Sequence, residues 1–355
     1  MKTEDPPIDS VRFSSIADLM PVDGAAELED YILDLRWSAD GRLLAAMPST
    51  GAPKLLDPSA RILRELPGHR GGNGSLGWSP KHNTLATLGL DSILRLHDAE
   101  SGKTREGPLP RGWTEHFAWN ADGNLIAVAN DRAVHIVNPD TLEVLEKIEG
   151  HTATVCDVLW HPRLPDRLAT ASDGGARIWK LGTKEPVGRI DDGVAALSLS
   201  WSPDARWLVT GDQTPSVHLL DIPKSDPLYI QGFASKAKAF AWLSAGRKDV
   251  PWLAVSGSAT ITLWPCFGKG PSGSKPLQLE GHLKEVIALD IPRNGQYLAS
   301  GGRDGLVLFW LPHEIERPVL IAQEKDEITA LRWSPDGQRL AYGTSAGHVV
   351  LHKIK

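Results

Sequence analysis

The chain has 355 residues, 41% of them hydrophobic, and a formal net charge of -6 from 44 acidic and 38 basic side chains. This composition is typical of a soluble globular chain with a sizeable core. The negative charge argues against bulk nucleic-acid binding, which needs a surface that neutralises phosphates. Two cysteines, Cys156 and Cys266, are too few for a disulfide framework or a thiolate metal site, so we expect a reducing compartment.

The N-terminal stretch MKTEDPPIDS has neither the basic run nor the apolar stretch of a secretory signal. Nowhere do 18 apolar residues run together, so we expect no membrane insertion. These features favour a cytoplasmic protein whose residues 1–10 form a flexible N-terminus.

One short phrase returns eight times along the chain, as in LRWSADG, LSWSPDA and LRWSPDG. Each copy has an anchor residue followed by a turn-forming group. The anchors are Trp37, Trp78, Trp119, Trp160, Trp201, Trp242, Ile291 and Trp333. The spacing is 41 residues five times in succession, then 49 and 42. Such regularity indicates a repeat protein.

Between successive anchors, short apolar runs alternate with turn residues. Each anchor is followed by Ser, Pro, Asp, Asn or Gly, then by a run such as RLLAA or WLVTG, then by a second run such as ILRLH or VVLHK. Runs of this length, rich in Val, Ile, Leu and Trp, predict β-strands, and no long stretch has helical periodicity. About four strands in a period of ~40 residues is the pattern of a propeller blade.

The repeat resembles the WD-repeat family of β-propellers, most clearly in GHTATVCDVLW with LATASDGGARIW and in LEGHLKEVIALDIPRNGQYLASGGRDGLVLFW. The resemblance covers Tyr31 to Lys355, although the Trp-Asp dipeptide that names the family is absent. It implies an all-β fold in which residues 11–355 form a single propeller domain. Eight anchors predict eight blades, and seven blades plus a degenerate cap is the alternative.

The C-terminal run HVVLHKIK supplies a third strand for the last blade but leaves nothing for the fourth. We therefore expect an N-terminal strand to close the ring, because an unpaired sheet edge would otherwise be exposed. The segment VRFSSIADL, residues 11–19, is the candidate.

A histidine and an aspartate recur together in three of the repeats. His69, His151 and His282 lie nine residues before their anchors, and each has an aspartate thirteen residues after the anchor. These aspartates are Asp91, Asp173 and Asp304. Residues that occur in the same three units are predicted to be partners.

The family resemblance implies that each pair belongs to a structural hydrogen-bonded network with a hydroxyl and a tryptophan. In blade seven the members are His282, Asp304, Ser300 and Trp310. In blade four they are His151, Asp173, Thr170 and Trp179, and in blade two they are His69, Asp91 and Thr87, with His97 where the tryptophan is expected. A catalytic trio is the alternative, but a nucleophile needs an exposed hydroxyl and an oxyanion pocket, and the sequence offers neither at Ser300.

Without catalytic, metal or cofactor motifs, the function is expected to depend on surfaces. We predict a non-enzymatic scaffold or adaptor that presents its rim loops to partner proteins; the alternative is an enzyme or small-ligand receptor that uses the central channel. The rim of loops before the first strand and after the second is here called the top rim. The candidate partner-binding residues on it are Glu29, Asp30, Trp113, His116, Lys284, Arg303, Asp326 and Glu327. The acidic ones, Glu29, Asp30, Asp326 and Glu327, predict a patch at the closure seam that meets a basic partner segment, unless they are ordinary solvated loop residues.

Overall fold

The computed structural model describes residues 20–354 except for residues 192, 245–250, 294, 296 and 312–316. These described residues form 32 β-strands and contain no helix. The first strand, β1 (Val22–Glu27), pairs with the last strand of the chain, and the strands between them follow in groups of four.

Blades one to four each consist of four consecutive antiparallel strands. Blade one contains β2 (Ile32–Trp37), β3 (Leu44–Pro48), β4 (Lys54–Leu56) and β5 (Ile62–Glu65). Blade two contains β6 (Asn73–Trp78), β7 (Thr84–Gly89), β8 (Ile93–Asp98) and β9 (Thr104–Pro108). Blade three contains β10 (Phe117–Trp119), β11 (Ile126–Asn130), β12 (Ala133–Val137) and β13 (Val144–Ile148). Blade four contains β14 (Val155–Trp160), β15 (Arg167–Ser172), β16 (Gly175–Lys180) and β17 (Gly188–Ile190).

Blades five to seven repeat this arrangement, and blade eight combines both ends of the described chain. Blade five contains β18 (Ala196–Trp201), β19 (Trp207–Asp212), β20 (Ser216–Asp221) and β21 (Asp226–Gln231). Blade six contains β22 (Phe240–Ser244), β23 (Pro251–Ser256), β24 (Thr260–Pro265) and β25 (Leu277–Glu280). Blade seven contains β26 (Val286–Asp290), β27 (Leu298–Gly302), β28 (Leu306–Trp310) and β29 (Val319–Gln323). Blade eight contains β30 (Ile328–Trp333), β31 (Arg339–Thr344), β32 (His348–Lys353) and β1.

The core consists of the interfaces between neighbouring blades. Each interface buries one apolar cluster from the facing sheets; Leu94 and Leu96 of blade two, for example, pack against Ile126 and Val128 of blade three. A cluster of the same kind joins blade eight to blade one, so the ring closes. The fold is therefore the eight-bladed β-propeller that the repeat count predicted, without a degenerate cap.

The anchor tryptophans link the blades along the central channel. In several blades the indole N–H donates to the backbone carbonyl of the residue before the previous anchor. These bonds run from Trp78 to Arg36 (2.9 Å), from Trp119 to Gly77 (3.1 Å), from Trp160 to Ala118 (2.9 Å) and from Trp37 to Arg332 (3.3 Å). The last of these crosses the closure seam. Each such bond contributes about 1 kcal/mol net, and it also satisfies an indole N–H that burial would otherwise leave unpaired.

An N-terminal strand closes the ring as predicted, but the strand at the outer edge of blade eight is β1. It runs antiparallel to β32, with Val22 opposite His352 and Glu27 opposite His348. The predicted closing segment, residues 11–19, and the predicted flexible residues 1–10 lie outside the described residues. Glycine is needed at position 24, because a Cβ there would lie 2.1 Å from the Ser59 carbonyl oxygen of blade one.

Candidate functional site

The most complete polar network lies in blade seven. His282 is buried; its Nδ1 lies 3.1 Å from both carboxylate oxygens of Asp304, and its Nε2 lies 2.7 Å from Ser300 Oγ. The Trp310 indole N–H donates to the same Ser300 Oγ over 2.8 Å. We call this four-residue network a staple. Because Ser300 is fully buried inside it, the hydroxyl is not exposed as a nucleophile would have to be.

Asp304 connects the staple to the backbone on both sides. Its carboxylate accepts the N–H of Leu283 over 2.6 Å and the N–H of Leu306 over 3.1 Å. Burial by itself raises the pKa of this carboxyl, but the hydrogen bond and charge of His282, with the two N–H donors, leave the pKa below its ordinary value. Asp304 therefore stays ionised at neutral pH and holds the entry loop against the turn after the second strand.

Blade two contains a variant of the staple. His69 Nδ1 lies 2.7 Å from Asp91 Oδ1, and its Nε2 lies 3.0 Å from Thr87 Oγ1. In place of the indole, His97 Nε2 lies 2.9 Å from the same hydroxyl. Burial lowers the pKa of His97 to about 4, with a further contribution from the charges of His69 and Arg95. A neutral imidazole thus replaces tryptophan in this blade.

Blade four has the histidine, threonine and tryptophan of a staple but a different third partner. His151 Nε2 and the Trp179 N–H both bond to Thr170 Oγ1, at 3.0 and 2.9 Å, while His151 Nδ1 lies 3.2 Å from Ser172 Oγ. The predicted carboxylate, Asp173, is exposed and does not contribute. Ser172 pairs with Gly175, so the turn has only two residues and places Asp173 at its outer tip.

Two further polar networks were not predicted from the sequence, because they do not combine a histidine, an aspartate and a hydroxyl at the staple positions. In blade eight, the buried Tyr342 hydroxyl donates to Glu324 Oε1 over 2.6 Å, and these residues occupy the positions of Ser300 and His282 relative to their anchor. In blade five, the buried Asp212 accepts hydrogen bonds from Thr210 and Ser216 and lies 2.8 Å from His218 Nδ1. In blade eight, position relative to the anchor was the available signal. In blade five, Asp212 and His218 stand 11 and 17 residues after Trp201, away from the positions of the staple aspartate and tryptophan, so spacing did not indicate them.

Apolar residues take the histidine position, nine residues before the anchor, in three other blades. Leu28 fills it in blade one and is 4% exposed, and Phe233 packs there against Gly257 in blade six. Blade three has Pro110 at this position, and the fully buried Val128 of β11 takes the position of the staple hydroxyl. No hydroxyl and no imidazole meet at this place in blade three, so that blade lacks a staple.

The residues of the predicted acidic patch lie in the loops where blades eight and one meet on the top rim. The turn at residues 345–347 bonds to both sides of the seam: Ser345 N–H donates to the Glu327 carbonyl, and Leu28 N–H donates to the Gly347 carbonyl. Asp30 accepts hydrogen bonds from Ser49, Thr50 and its neighbour Tyr31, which lower its pKa to about 2. Asp30 is therefore ionised at neutral pH, and its carboxylate also holds the hydroxyl groups of Ser49 and Thr50.

The other seam residues differ in how far they are engaged. Arg303 Nε lies 3.4 Å from Glu285 Oε2 and 3.8 Å from Glu327 Oε2, so part of the acidic charge is neutralised within the rim. Lys284 donates its backbone N–H to Asp304 over 3.4 Å. Glu29 and Asp326 make no side-chain hydrogen bond or ion pair with any residue that the structure describes.

Trp113 and His116 lie in the loop that enters blade three, and the structure separates their roles. Trp113 is 53% exposed, and its backbone is fixed by bonds in both directions to Asp131. His116 lies three residues before its anchor, the register of Asp34 and Asp157 on the channel side. Burial raises the pKa of Asp157, and the nearby charge of His116 partly offsets this increase.

The channel contains charged side chains with protein partners. Asp34 accepts from Arg36 over 2.9 Å and from Arg332 over 3.1 Å, so it joins blades one and eight. Asp157 accepts the Leu199 N–H of the next blade over 2.8 Å. Burial raises the pKa of Asp157, but its contacts are those of a tie between blades. Asp34 and Asp157 are therefore engaged in contacts that join neighbouring blades.

In the described part of the chain, no group of three or more His, Cys, Asp and Glu side chains is arranged to bind a metal ion. The same residues include no helix long and apolar enough to cross a bilayer.

Comparison with known families matches three stretches of the chain to the model "WD domain, G-beta repeat": residues 142–180, 186–221 and 273–310. These stretches cover most of blades four, five and seven. Two of the three, in blades four and seven, contain a histidine-tryptophan network described above.

Similar curated proteins are also WD-repeat proteins or subunits of complexes. "Cell division cycle 20.1, cofactor of APC complex" of Arabidopsis thaliana is 26% identical over 83% of this chain and 57% of its own length. "Anaphase-promoting complex subunit cdc20" of Dictyostelium discoideum is 25% identical over 84% of this chain and 52% of its own length. "THO complex subunit 3" of Arabidopsis thaliana is 27% identical over 54% of this chain and 61% of its own length. The chain thus matches little more than half the length of these relatives. The chain is thus an eight-bladed β-propeller in which three stretches match the WD repeat model, and it is similar in sequence to the proteins named above.

Proposed function

We propose that the chain is a non-enzymatic interaction scaffold whose top rim receives partner proteins in the cytoplasm. The observation that carries this proposal is the contrast between its polar groups: the staple and channel groups described above have partners within the chain, whereas Glu29 and Asp326 at the closure seam make no hydrogen bond or ion pair with any described residue. A rigid ring that displays many loops is suited to binding proteins. The names of the similar proteins, a complex cofactor and complex subunits, support the same role.

The partner segment proposed for the seam is basic. Glu29 and Asp326 contribute charge without an internal ion pair, and Asp30 remains ionised because hydrogen bonds hold its pKa near 2. Arg303 and Lys325 reduce the negative charge but do not cancel it. A cationic segment that follows the rim across the turn at residues 345–347 would meet carboxylates from both blades, and their attraction would weaken as salt increases.

The test is quantitative capture with charge-reversed baits. Glu29→Lys with Asp326→Lys reverses the exposed Glu29 and the partly exposed Asp326, which make no described side-chain hydrogen bond or ion pair, so we expect the fold to be retained. Asp122→Lys is the matched control, because Asp122 is an exposed carboxylate in the bottom turn between β10 and β11. Extracts of the native source are passed over wild type, seam variant and control at 50 and 300 mM salt, and bound proteins are quantified by mass spectrometry.

We expect a set of proteins that wild type and Asp122→Lys retain and the seam variant loses, with weaker retention at high salt. Equal capture by all three baits would refute the acidic seam as the contact site. Absence of any protein enriched over a blank matrix would refute the scaffold role itself.

A further inference from the structure

Blade three has an open cavity of about 750 Å³ at its top outer edge, next to blade four. Its lining comes from four segments: the loop entering blade three, the turn after β11 with the following strand β12, the end of β13, and the loop entering blade four, which includes His151. The residues that matter here are Arg111, Asp131, Arg132, His135, Lys147 and Glu149. The cavity lies in the one described blade that has proline at the staple position.

The cavity follows from substitutions at positions that the staple of blade two uses. In blade two, His69 and Arg95 occupy this space, and Arg95 bonds to Glu106 on the outermost strand over 2.8 Å. The residues at the same places in blade three are Pro110, His135 and Lys147: His135 pairs in register with Lys147 as Arg95 does with Glu106. Proline is smaller than histidine and imidazole is shorter than guanidinium, so the space stays open.

His135 is the floor of the cavity and has an unused polar atom. The residue is 4% exposed, and its Nδ1 is buried without a hydrogen-bond partner among the described residues. Burial, with the nearby charge of Lys147, lowers its pKa, so the ring is neutral at neutral pH. An unpaired buried polar atom destabilises the folded chain unless a ligand or water satisfies it.

The mouth of the cavity has two cations without an anionic partner. Arg111 and Arg132 are exposed, and neither makes a side-chain hydrogen bond or ion pair with any residue that the structure describes. Of the acidic side chains nearby, Glu149 pairs with Lys147 over 2.5 Å, and Asp131 accepts the uncharged Trp113 N–H over 2.8 Å, which leaves its charge in place. The lining thus has Arg111, Arg132 and Lys147 against Asp131 and Glu149, so its formal charge is positive.

We propose that this cavity is a docking site for an acidic segment of a partner protein, with one carboxylate side chain held between Arg111 and Arg132 above His135. Arginine suits this task because its planar group binds carboxylates through paired hydrogen bonds. A cavity of about 750 Å³ is much larger than one small anion and suits a side chain with its neighbours. Trp113 is 53% exposed and its backbone is bonded to Asp131 of the lining, so its indole is available to cover an apolar residue of the same segment.

The test uses a phage-displayed random heptapeptide library panned on the purified full chain. Selected peptides are synthesised and their affinity measured by fluorescence anisotropy. We expect enrichment of Asp or Glu next to an apolar residue, and Arg111→Glu with Arg132→Glu should weaken binding about tenfold or more. The matched control is Arg70→Glu, because Arg70 follows His69 in stapled blade two just as Arg111 follows Pro110 and is also exposed. This control should change affinity less than about twofold.

A second variant tests the cavity without changing its charge. Pro110→His places an imidazole where blades two, four and seven have one, so it should reduce binding by filling the space while circular dichroism shows a retained fold. Selection of no acidic motif, equal binding by the double arginine variant, or an equal loss in Arg70→Glu would each overturn the proposal. So would inorganic phosphate binding more tightly than any selected peptide, which would leave a small-anion site. The seam variant Glu29→Lys with Asp326→Lys should bind these peptides normally, so this test and that of the proposed function fail separately.

Discussion

Blade seven and blade three have the same four-stranded frame but differ where the entry loop meets the second strand. In blade seven, His282, Ser300 and Asp304 fill that place with hydrogen bonds. In blade three, Pro110 and Val128 stand there instead, and a cavity with an unpaired histidine atom remains. One blade thus uses its buried polar groups entirely for its own structure, and the other leaves such a group unused.

The difference shows that the staple is one of several ways to hold an entry loop. Blade three holds its loop with Asn130, whose amide donates to the Pro110 carbonyl over 2.6 Å, and with Asp131, which accepts the Trp113 N–H. Thr114 also donates to the Gly89 carbonyl of blade two over 2.8 Å. Because these bonds hold the loop at its edge, the cavity of blade three stays open for a ligand.

The largest expected effect comes from breaking the staple of blade seven. Asp304→Ala leaves His282 Nδ1 and the N–H groups of Leu283 and Leu306 without their acceptor, so the free energy of unfolding should fall by about 2–4 kcal/mol. Urea denaturation followed by tryptophan fluorescence measures it. Asp173→Ala in blade four is the control and should stay within about 0.5 kcal/mol of wild type, because Asp173 is exposed outside its network. Similar values for the two variants would contradict the assignment of these aspartates.

The next effect is on pH dependence and concerns the staple of blade two. The pKa of His97 is about 4 in the folded chain, below that of a free histidine, so the unfolded chain takes up a proton that the folded chain refuses between about pH 6.5 and 4. The free energy of unfolding therefore falls as the pH drops through this window. His97→Trp, which introduces the indole of blades four and seven, should reduce that slope by roughly 1 kcal/mol per pH unit.

Thermal or urea unfolding at several pH values from 7 to 4.5 measures the slope. His151 of blade four has the same direction and a pKa of about 4 from burial, so the wild-type decline should persist in part in His97→Trp. An unchanged slope would show that His97 titrates normally in the folded chain.

The smallest effect is expected at the cavity of blade three. His135→Leu replaces a buried imidazole whose Nδ1 is unpaired with an apolar side chain, so stability should be unchanged or rise by up to about 1 kcal/mol. Thr87→Val, the matched change in a stapled blade, should destabilise, because two imidazoles lose their shared hydroxyl. Strong destabilisation by His135→Leu would indicate that this histidine serves the fold.

The sequence allowed the blade number and the staples of blades two and seven to be predicted, because both depend on fixed spacing from an anchor. The closing strand was harder to place. The strand VDGAAE lies half-exposed at a sheet edge. Its pairing depends on backbone hydrogen bonds and not on an apolar pattern, so the sequence did not indicate it. Asp173 was misassigned because one residue fewer in a turn moves a side chain from the interior to the tip. The cavity of blade three arises because Pro110 and His135 are smaller than His69 and Arg95 at the same places in blade two. A sequence motif does not report such a difference in volume.

The pairing of β1 with β32 has a mechanical consequence. Because Val22 lies opposite His352, the two ends of the seam strands leave the ring at the same corner. A force that pulls these ends apart would load the backbone hydrogen bonds of the pair one after another, as in a zipper, and would not shear them all together. Tension on the two strand ends would therefore open the propeller first between β1 and β32. A short covalent bridge between those ends would prevent this opening.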